Sequence, residues 1–179
     1  MKMSAWGRMA VACLAVVAMS AQAEWRDAKG KPLPQRDDAK YQDTFLAQLV
    51  ITAKIDEFRK SFKAGKLTTV ESTSKAEIGD KLTGMVFISN CKAGADKKCK
   101  VTAKVQLEAP DGKRIDVGSI VVWDQAAPGQ DMIVPGQRDV AMAFDSTDAP
   151  GKYKLRAKVV DEVAGITLDL TAPLKLKKS

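Results

Sequence analysis

The clearest hydrophobic patterns of the chain lie between residues 82 and 112. Leu82 to Ser89 is a short apolar run with Val, Phe and Ile at its centre, which is typical of a strand buried on both faces and too short for a stable helix. Lys100 to Glu108 alternates strictly between polar and apolar residues, as a half-buried strand requires. Pro110-Asp111-Gly112 then predicts a tight turn. This region therefore predicts two strands joined by a loop and followed by a reversal.

Similar alternation predicts further strands on both sides of this region, at Thr44 to Ala53, Lys113 to Trp123, Asp139 to Phe144, Lys152 to Val160 and Gly165 to Lys177. In one of them the pattern places four apolar residues on the inward face, Ile115, Val117, Val121 and Trp123. Pro and Gly turn signals separate the strands. Seven or eight short strands at this spacing predict an all-β sandwich with Greek-key connections.

One segment departs from the two-residue period. Ile55, Phe58 and Phe62 lie at helical spacing, and Gly65 can end the helix. We therefore predict one short helix near the N-terminus, packed on the edge of the sandwich. The basic residues around it suggest an alternative, an amphipathic helix on a membrane surface, but its apolar face is only three residues long.

The first residues have the pattern of a secretory signal peptide. Lys2 and Arg8 precede an apolar run from Met9 to Ala18, and Ala21-Gln22-Ala23 offers small residues for cleavage. The run is too short to span a bilayer, and Cys13 lacks the preceding residues of a lipid-anchor signal, so no stable membrane anchor is predicted. We expect an exported chain, periplasmic or alternatively secreted, with a signal peptide at 1–23, a flexible leader at 24–43 and one sandwich domain at 44–179.

Cys91 and Cys99 are the only cysteines after the predicted cleavage site. In an exported protein such a pair predicts a disulfide, which we expect to stabilise the fold by about 2 to 3 kcal/mol. A redox or metal-binding pair is the alternative, but the spacing differs from a redox motif and the chain has no histidine. Loss of Lys2 and Arg8 with the signal peptide lowers the net charge from +7 to +5, a moderately basic balance that weakly favours acidic partners.

The absence of histidine also limits the catalytic chemistry. It excludes Ser-His-Asp and Cys-His arrangements and histidine-ligated metal or haem sites, and the glycines do not form a phosphate-binding loop. Adjacent acids at Asp37-Asp38 and Asp161-Glu162 are typical of solvated surface. We therefore predict no catalytic residues, no metal site and no cofactor, and expect that the protein is not an enzyme.

The run from Asp148 to Tyr153 reads Asp-Ala-Pro-Gly-Lys-Tyr and leads into an alternating strand that Asp161 follows. Together with the Pro110-Asp111-Gly112 turn, it resembles immunoglobulin-like β-sandwich domains of bacterial extracytoplasmic proteins, over roughly residues 66–177. The resemblance implies an immunoglobulin-like Greek-key sandwich that serves as a binding or spacer module. It also implies that Tyr153 forms a tyrosine corner, in which the ring packs and the hydroxyl bonds nearby backbone.

In this fold class, the strands at Lys100 to Glu108, Lys152 to Val160 and Gly165 to Lys177 share one sheet. Their outward basic residues would then form a possible anion-binding face of Lys100, Lys104, Lys154, Arg156, Lys158, Lys175 and Lys177. The same lysines would also keep a solvated sheet soluble. No aromatic residue alternates with these charges to stack bases, so nucleic acid is not an expected partner.

These patterns predict a non-catalytic exported binding or adaptor module that recognises a protein or an anionic glycan through loops or the basic face. The candidate loops are 92–98, which contains Lys92, Lys97 and Lys98, and 126–136, near Trp123, which is either a core residue or an exposed anchor. Two alternatives are an enzyme or enzyme accessory with an acidic site and a periplasmic chaperone or assembly factor that acts by a strand edge.

Overall fold

The computed structural model describes residues 34–64, 69–130 and 132–177. The predicted signal peptide, and the predicted leader up to residue 33, lie outside these ranges. The described chain forms two five-stranded sheets and one helix. In chain order the elements are β1 (Ala39–Gln42), β2 (Phe45–Thr52), α1 (Ile55–Lys63), β3 (Lys75–Ala76), β4 (Lys81–Ser89), β5 (Val101–Glu108), β6 (Arg114–Trp123), β7 (Val134–Pro135), β8 (Val140–Ala143), β9 (Gly151–Asp161) and β10 (Ile166–Leu176).

Sheet one has the order β1-β2-β4, and both β7 and β8 pair with the far side of β4. Sheet two has the order β3-β10-β9-β5-β6. Its strands are antiparallel except for β3, which runs parallel to β10. The two sheets share one buried core, so the protein is mostly β and has the sandwich architecture that the alternation predicts.

The core is built from the inward residues of both sheets. Leu49 on β2, Val86 on β4 and Leu155 on β9 are nearly inaccessible to solvent, as the two-residue period of their strands requires. The sheets approach closely at Gly84, where an added Cβ would lie 2.4 Å from the Leu155 Cδ2 atom. A larger residue would therefore overpack the sandwich at this position.

The helix is present, but its position differs from the prediction. α1 follows β1 and β2 instead of lying near the N-terminus, and it covers the outer face of sheet one instead of its edge. Phe58 is buried beside Val50 and Met85, with its ring 5.7 Å from that of Phe87. This contact buries the second face of β4 and explains its continuous apolar run. Phe58 and the half-buried Ile55 therefore pack on the sheet, whereas Phe62, on the same face of α1, is exposed.

Two other segments differ from the expected organisation. Ala39–Gln42, within the predicted leader, forms β1 and pairs with β2. In β6, register shifts opposite Val101/Thr102 and Val105/Gln106 interrupt the alternation, because each bulge adds a residue and reverses the facing of those beyond it.

The predicted inward face of β6 is therefore only partly right, because Ile115 and Trp123 lie opposite inward residues of β5 and Val121 does not. Val121 lies opposite the outward-facing Thr102, whereas Val122 is buried in the core. Ile115, Val117 and Val121 are 48%, 43% and 41% exposed. Trp123 is half-buried against the core.

Tyr153 begins the inward series of β9. Its hydroxyl donates a hydrogen bond to the Ala149 carbonyl at 2.9 Å, and its ring contacts Phe144 edge-on at 5.1 Å. Burial of the hydroxyl raises the Tyr153 pKa above its ordinary value. This is the arrangement that the resemblance implied for Tyr153.

Candidate functional site: the charged face of sheet two

The outer face of sheet two carries most of the exposed charge on the strands. β5, β9 and β10 lie side by side, as expected, so their outward residues share this face. Its outward strand positions hold eight basic and three acidic side chains, namely Lys75, Lys104, Arg114, Lys152, Lys154, Arg156, Lys158 and Lys175 against Glu108, Asp116 and Asp169. The face therefore has a net positive charge.

Glu108 is the centre of an ion cluster on this face. Its carboxylate accepts from Arg156 Nε at 2.7 Å and Lys154 Nζ at 3.1 Å, and Arg114 Nε lies 3.4 Å away. The hydrogen bonds from Arg156 and then Lys154 lower the Glu108 pKa to about 2. The carboxylate is thus ionised at neutral pH, and both arginines of the face are held by the protein itself.

Three more of the predicted basic residues also have acidic partners. Within the face, Lys104 Nζ lies 3.3 Å from Asp116. At its margins, Lys100 Nζ lies 2.7 Å from Glu162, and Lys177 Nζ lies 2.6 Å from Glu77. The hydrogen bonds to their partners raise the pKa values of Lys100 and Lys177. Of the seven predicted residues, Lys158 and Lys175 have no acid within ion-pair distance among the described residues.

A row of three lysines crosses one end of the face. Lys175 on β10 lies directly opposite Lys152 on β9 and, on its other side, opposite Lys75 on β3. All three side chains are exposed, and no acid of the described ranges forms an ion pair with any of them. We call these residues the lysine row. Like charges in directly opposite positions repel one another and destabilise a sheet. No acid of the described ranges forms an ion pair with these lysines to offset that repulsion.

The cross-linked loop lies at the other end of sheet two. Cys91 and Cys99 form the predicted disulfide, with a Cα–Cα distance of 6.0 Å, and this bond is typical of an oxidising, extracytoplasmic compartment. Asp161, at the end of β9, is fully buried. Its Oδ2 accepts from the Lys92 N–H at 2.8 Å, and its Oδ1 accepts from the N–H groups of Val163 and Ala164 at 3.1 and 3.0 Å.

Asp161 is therefore a structural residue that joins the loop to the β9–β10 turn. The expectation that Asp161 lies on the solvated surface is wrong. The residue is buried, and its carboxylate accepts hydrogen bonds from backbone N–H groups that would otherwise have no partner.

The predicted binding loops are separate from the lysine row. Lys92, Lys97 and Lys98 are exposed on the cross-linked loop, whereas the lysine row lies at the opposite end of β9, about 30 Å away for a strand of this length. Trp123 uses its Nε1–H to donate to the Ala126 carbonyl at 3.0 Å. Its indole is therefore engaged within the protein.

Two other surfaces have apolar character. A pocket of about 250 Å³ between α1 and the segment after β7 is lined by Phe58, Phe62, Met85 and Pro135, among others. The free edge of β6 is long, but it is bulged, and Val122 O already accepts from the Gln137 N–H at 2.9 Å. Bulges of this kind reduce pairing with a further strand.

Within residues 34–64, 69–130 and 132–177, no group of three or more His, Cys, Asp or Glu residues is placed to hold a metal ion. In the same ranges, no helix is long and apolar enough to cross a membrane.

Sequence reasoning did not identify two members of the lysine row. Lys152 had a usable signal, because it alternates with Lys154, Arg156 and Lys158 on the same strand. Lys75 had none, since β3 is two residues long and its facing depends on parallel pairing with a strand about 100 residues later. The central role of Glu108 likewise depends on cross-strand neighbours.

Neither a protein-family model nor a curated protein matches the chain. Among solved structures, it is similar to a family 123 glycoside hydrolase from Clostridium perfringens, at 11% identity and a TM-score of 0.42 over 74% of this chain and 28% of that protein. It is also similar to a beta-glucosidase from Listeria innocua, at 10% identity and a TM-score of 0.43 over 87% and 19% of the two chains. An immunoglobulin-like protein from Pseudomonas aeruginosa has 18% identity and a TM-score of 0.28 over 61% and 82%.

The chain thus spans less than a third of the length of either hydrolase. At these TM-scores the likenesses carry no argument about function.

Proposed function

We propose that the chain is a non-catalytic, exported binding module built on an immunoglobulin-like Greek-key sandwich, which recognises an anionic glycan or an acidic protein through the outer face of sheet two. The strand order of sheet two, the parallel β3 beside β10 and the Tyr153–Ala149 hydrogen bond support the fold assignment. The disulfide supports export.

One observation carries the binding proposal: like charges lie directly opposite one another on this face. In the lysine row, Lys152, Lys175 and Lys75 lie side by side across β9, β10 and β3, and none of them forms an ion pair with an acid of the described residues. A sheet that needed only solubility could alternate lysines with acids at no such cost. The uncompensated charge is therefore best explained by an anionic partner that neutralises it.

The experiment compares wild-type protein with two charge-reversal variants in binding to immobilised acidic glycans at low and high salt. One variant is Lys158→Glu with Lys175→Glu, on the face. The matched control is Lys60→Glu with Lys63→Glu. It makes the same charge change at exposed sites on α1, the helix that covers sheet one.

We expect binding that weakens with salt, because surface charges are screened. We also expect a loss of at least about tenfold in the face variant and less than about threefold in the control. Binding that survives in the face variant, or falls equally in both variants, would contradict the assignment of the face. The same comparison with an acidic protein as the probe tests the second class of partner.

A further inference from the structure

The lysine row differs chemically from the rest of the charged face. Elsewhere, the guanidinium groups of Arg114 and Arg156 lie against Glu108, and Lys104 lies beside Asp116. The exposed ammonium groups of Lys75, Lys152 and Lys175 have no such partner among the described residues. The free binding capacity at this end of the sheet consists of lysine ammonium groups.

The geometry of the row concentrates this charge. Neighbouring strands lie about 4.8 Å apart, so the Cα atoms of these three lysines, in register on β9, β10 and β3, lie within a span of about 10 Å. Directly beside the row, Lys177 is held by Glu77 and Lys154 by Glu108. The flanking ion pairs thus border the uncompensated charge on both sides.

Ammonium groups arranged in this way favour phosphate over carboxylate. The planar fork of arginine matches carboxylate and phosphate in two parallel hydrogen bonds, whereas lysine acts as a point charge with rotatable donors, so its attraction to an anion depends mainly on the charge of that anion. A phosphate monoester carries about −1.5 to −2 charge and three acceptor oxygens. It can therefore accept hydrogen bonds from several lysines on adjacent strands. A carboxylate, with a single charge and two oxygens, attracts the same lysines more weakly.

We infer that the lysine row of Lys75, Lys152 and Lys175 binds the phosphate groups of an anionic glycan. This inference rests on the proposed function, and it narrows that function to one end of the face and one chemical class of ligand. The cross-linked loop lies at the other end of β9 and takes no part in this contact.

The experiment uses three polymers of one backbone and equal length: dextran phosphate, carboxymethyl dextran and unmodified dextran. The mature chain is titrated with each of them, and vesicles that contain an anionic phospholipid form a fourth arm. The row variant is Lys75→Gln with Lys152→Gln and Lys175→Gln. The control, Lys60→Gln with Lys63→Gln and Lys81→Gln, removes the same charge from exposed positions on α1 and β4, outside the charged face.

We expect wild-type protein to bind dextran phosphate at least about tenfold more tightly than carboxymethyl dextran, with no binding to dextran. The row variant should lose at least about tenfold in affinity for dextran phosphate, and the slope of log affinity against log salt should fall by about two to three. The control should lose less than about threefold. Thermal unfolding of both variants checks that each is folded.

A row variant that keeps the affinity of the wild type for dextran phosphate would overturn the lysine row while leaving the proposed function in place. A preference for carboxymethyl dextran or for the vesicles would overturn the assignment to a phosphorylated glycan. If the wild type binds none of the charged probes and no acidic protein in the preceding test, the proposed function fails and the inference fails with it.

Discussion

Asp161 provides the sharpest test of how the sandwich holds its cross-linked loop. Its buried carboxylate accepts three backbone N–H groups, one from Lys92 in the loop and two from Val163 and Ala164 in the β9–β10 turn. Asp161→Ala removes all three acceptor contacts at once. The backbone donors then lose their partners at a site where the protein excludes water from the carboxylate.

The expected loss follows from the number and type of these bonds. A hydrogen bond to a charged acceptor contributes about 1.5 to 3 kcal/mol, but amides that are partly buried regain some hydration when the loop relaxes. We therefore expect Asp161→Ala to lower the free energy of unfolding by about 3 to 5 kcal/mol.

Asp161→Asn is the finer perturbation. It can keep an oxygen for Val163 and Ala164, but it places an amide N–H group against the Lys92 N–H. We expect this variant to lose about 2 kcal/mol.

Urea unfolding followed by circular dichroism measures these differences, with the slope m used to confirm that the unfolded states are comparable. Asp169→Ala is the control, because Asp169 is an exposed acid on the neighbouring strand β10, and it should change stability by less than about 0.5 kcal/mol. If the free energies of unfolding of Asp161→Ala and of this control differ by less than about 0.5 kcal/mol, the three hydrogen bonds do not hold the loop.

Three further predictions follow from single features of the structure. Cys91→Ser with Cys99→Ser should lower the free energy of unfolding by about 2.5 kcal/mol, the loop-closure value for a sequence separation of 8; urea unfolding that detects no loss would contradict it. Because the Glu108 pKa is lowered to about 2, its ion pairs contribute stability above the pKa of the unfolded chain, and this contribution is lost as pH falls towards about 2. The stability difference between wild type and Glu108→Gln should therefore shrink between about pH 5 and about pH 2, and a constant difference would refute the ion-pair assignment. Tyr153→Phe should cost about 1 kcal/mol in thermal unfolding, since it removes one hydrogen bond to Ala149 and keeps the ring; an unchanged stability would show that this bond makes no net contribution.

Much of the fold could be predicted from local patterns. The alternation of Val101, Ala103 and Val105 reports which side chains of one strand point the same way, and that property belongs to the strand itself. The disulfide between Cys91 and Cys99 could also be predicted, because they are the only two cysteines after the predicted signal peptide and leave one intramolecular pairing.

The exceptions occur where a residue's environment depends on a distant partner. The bulges of β6 arise in its pairing with β5, so alternation within β6 places Val121 on the wrong face. The burial of Asp161 depends on the Lys92 amide, 69 residues earlier in the chain. Neither partner can be recognised from the residues on either side.

The candidate site shows the same division. Patterning within β5, β9 and β10 placed Lys104, Lys158 and Lys175 on outward positions, because charge is kept in water on a half-buried strand. Tertiary pairing set which of these charges are neutralised and which are left facing one another, since register between strands depends on the packing of the whole sandwich. The lysine row therefore exists as a group only after β3, β9 and β10 have come together.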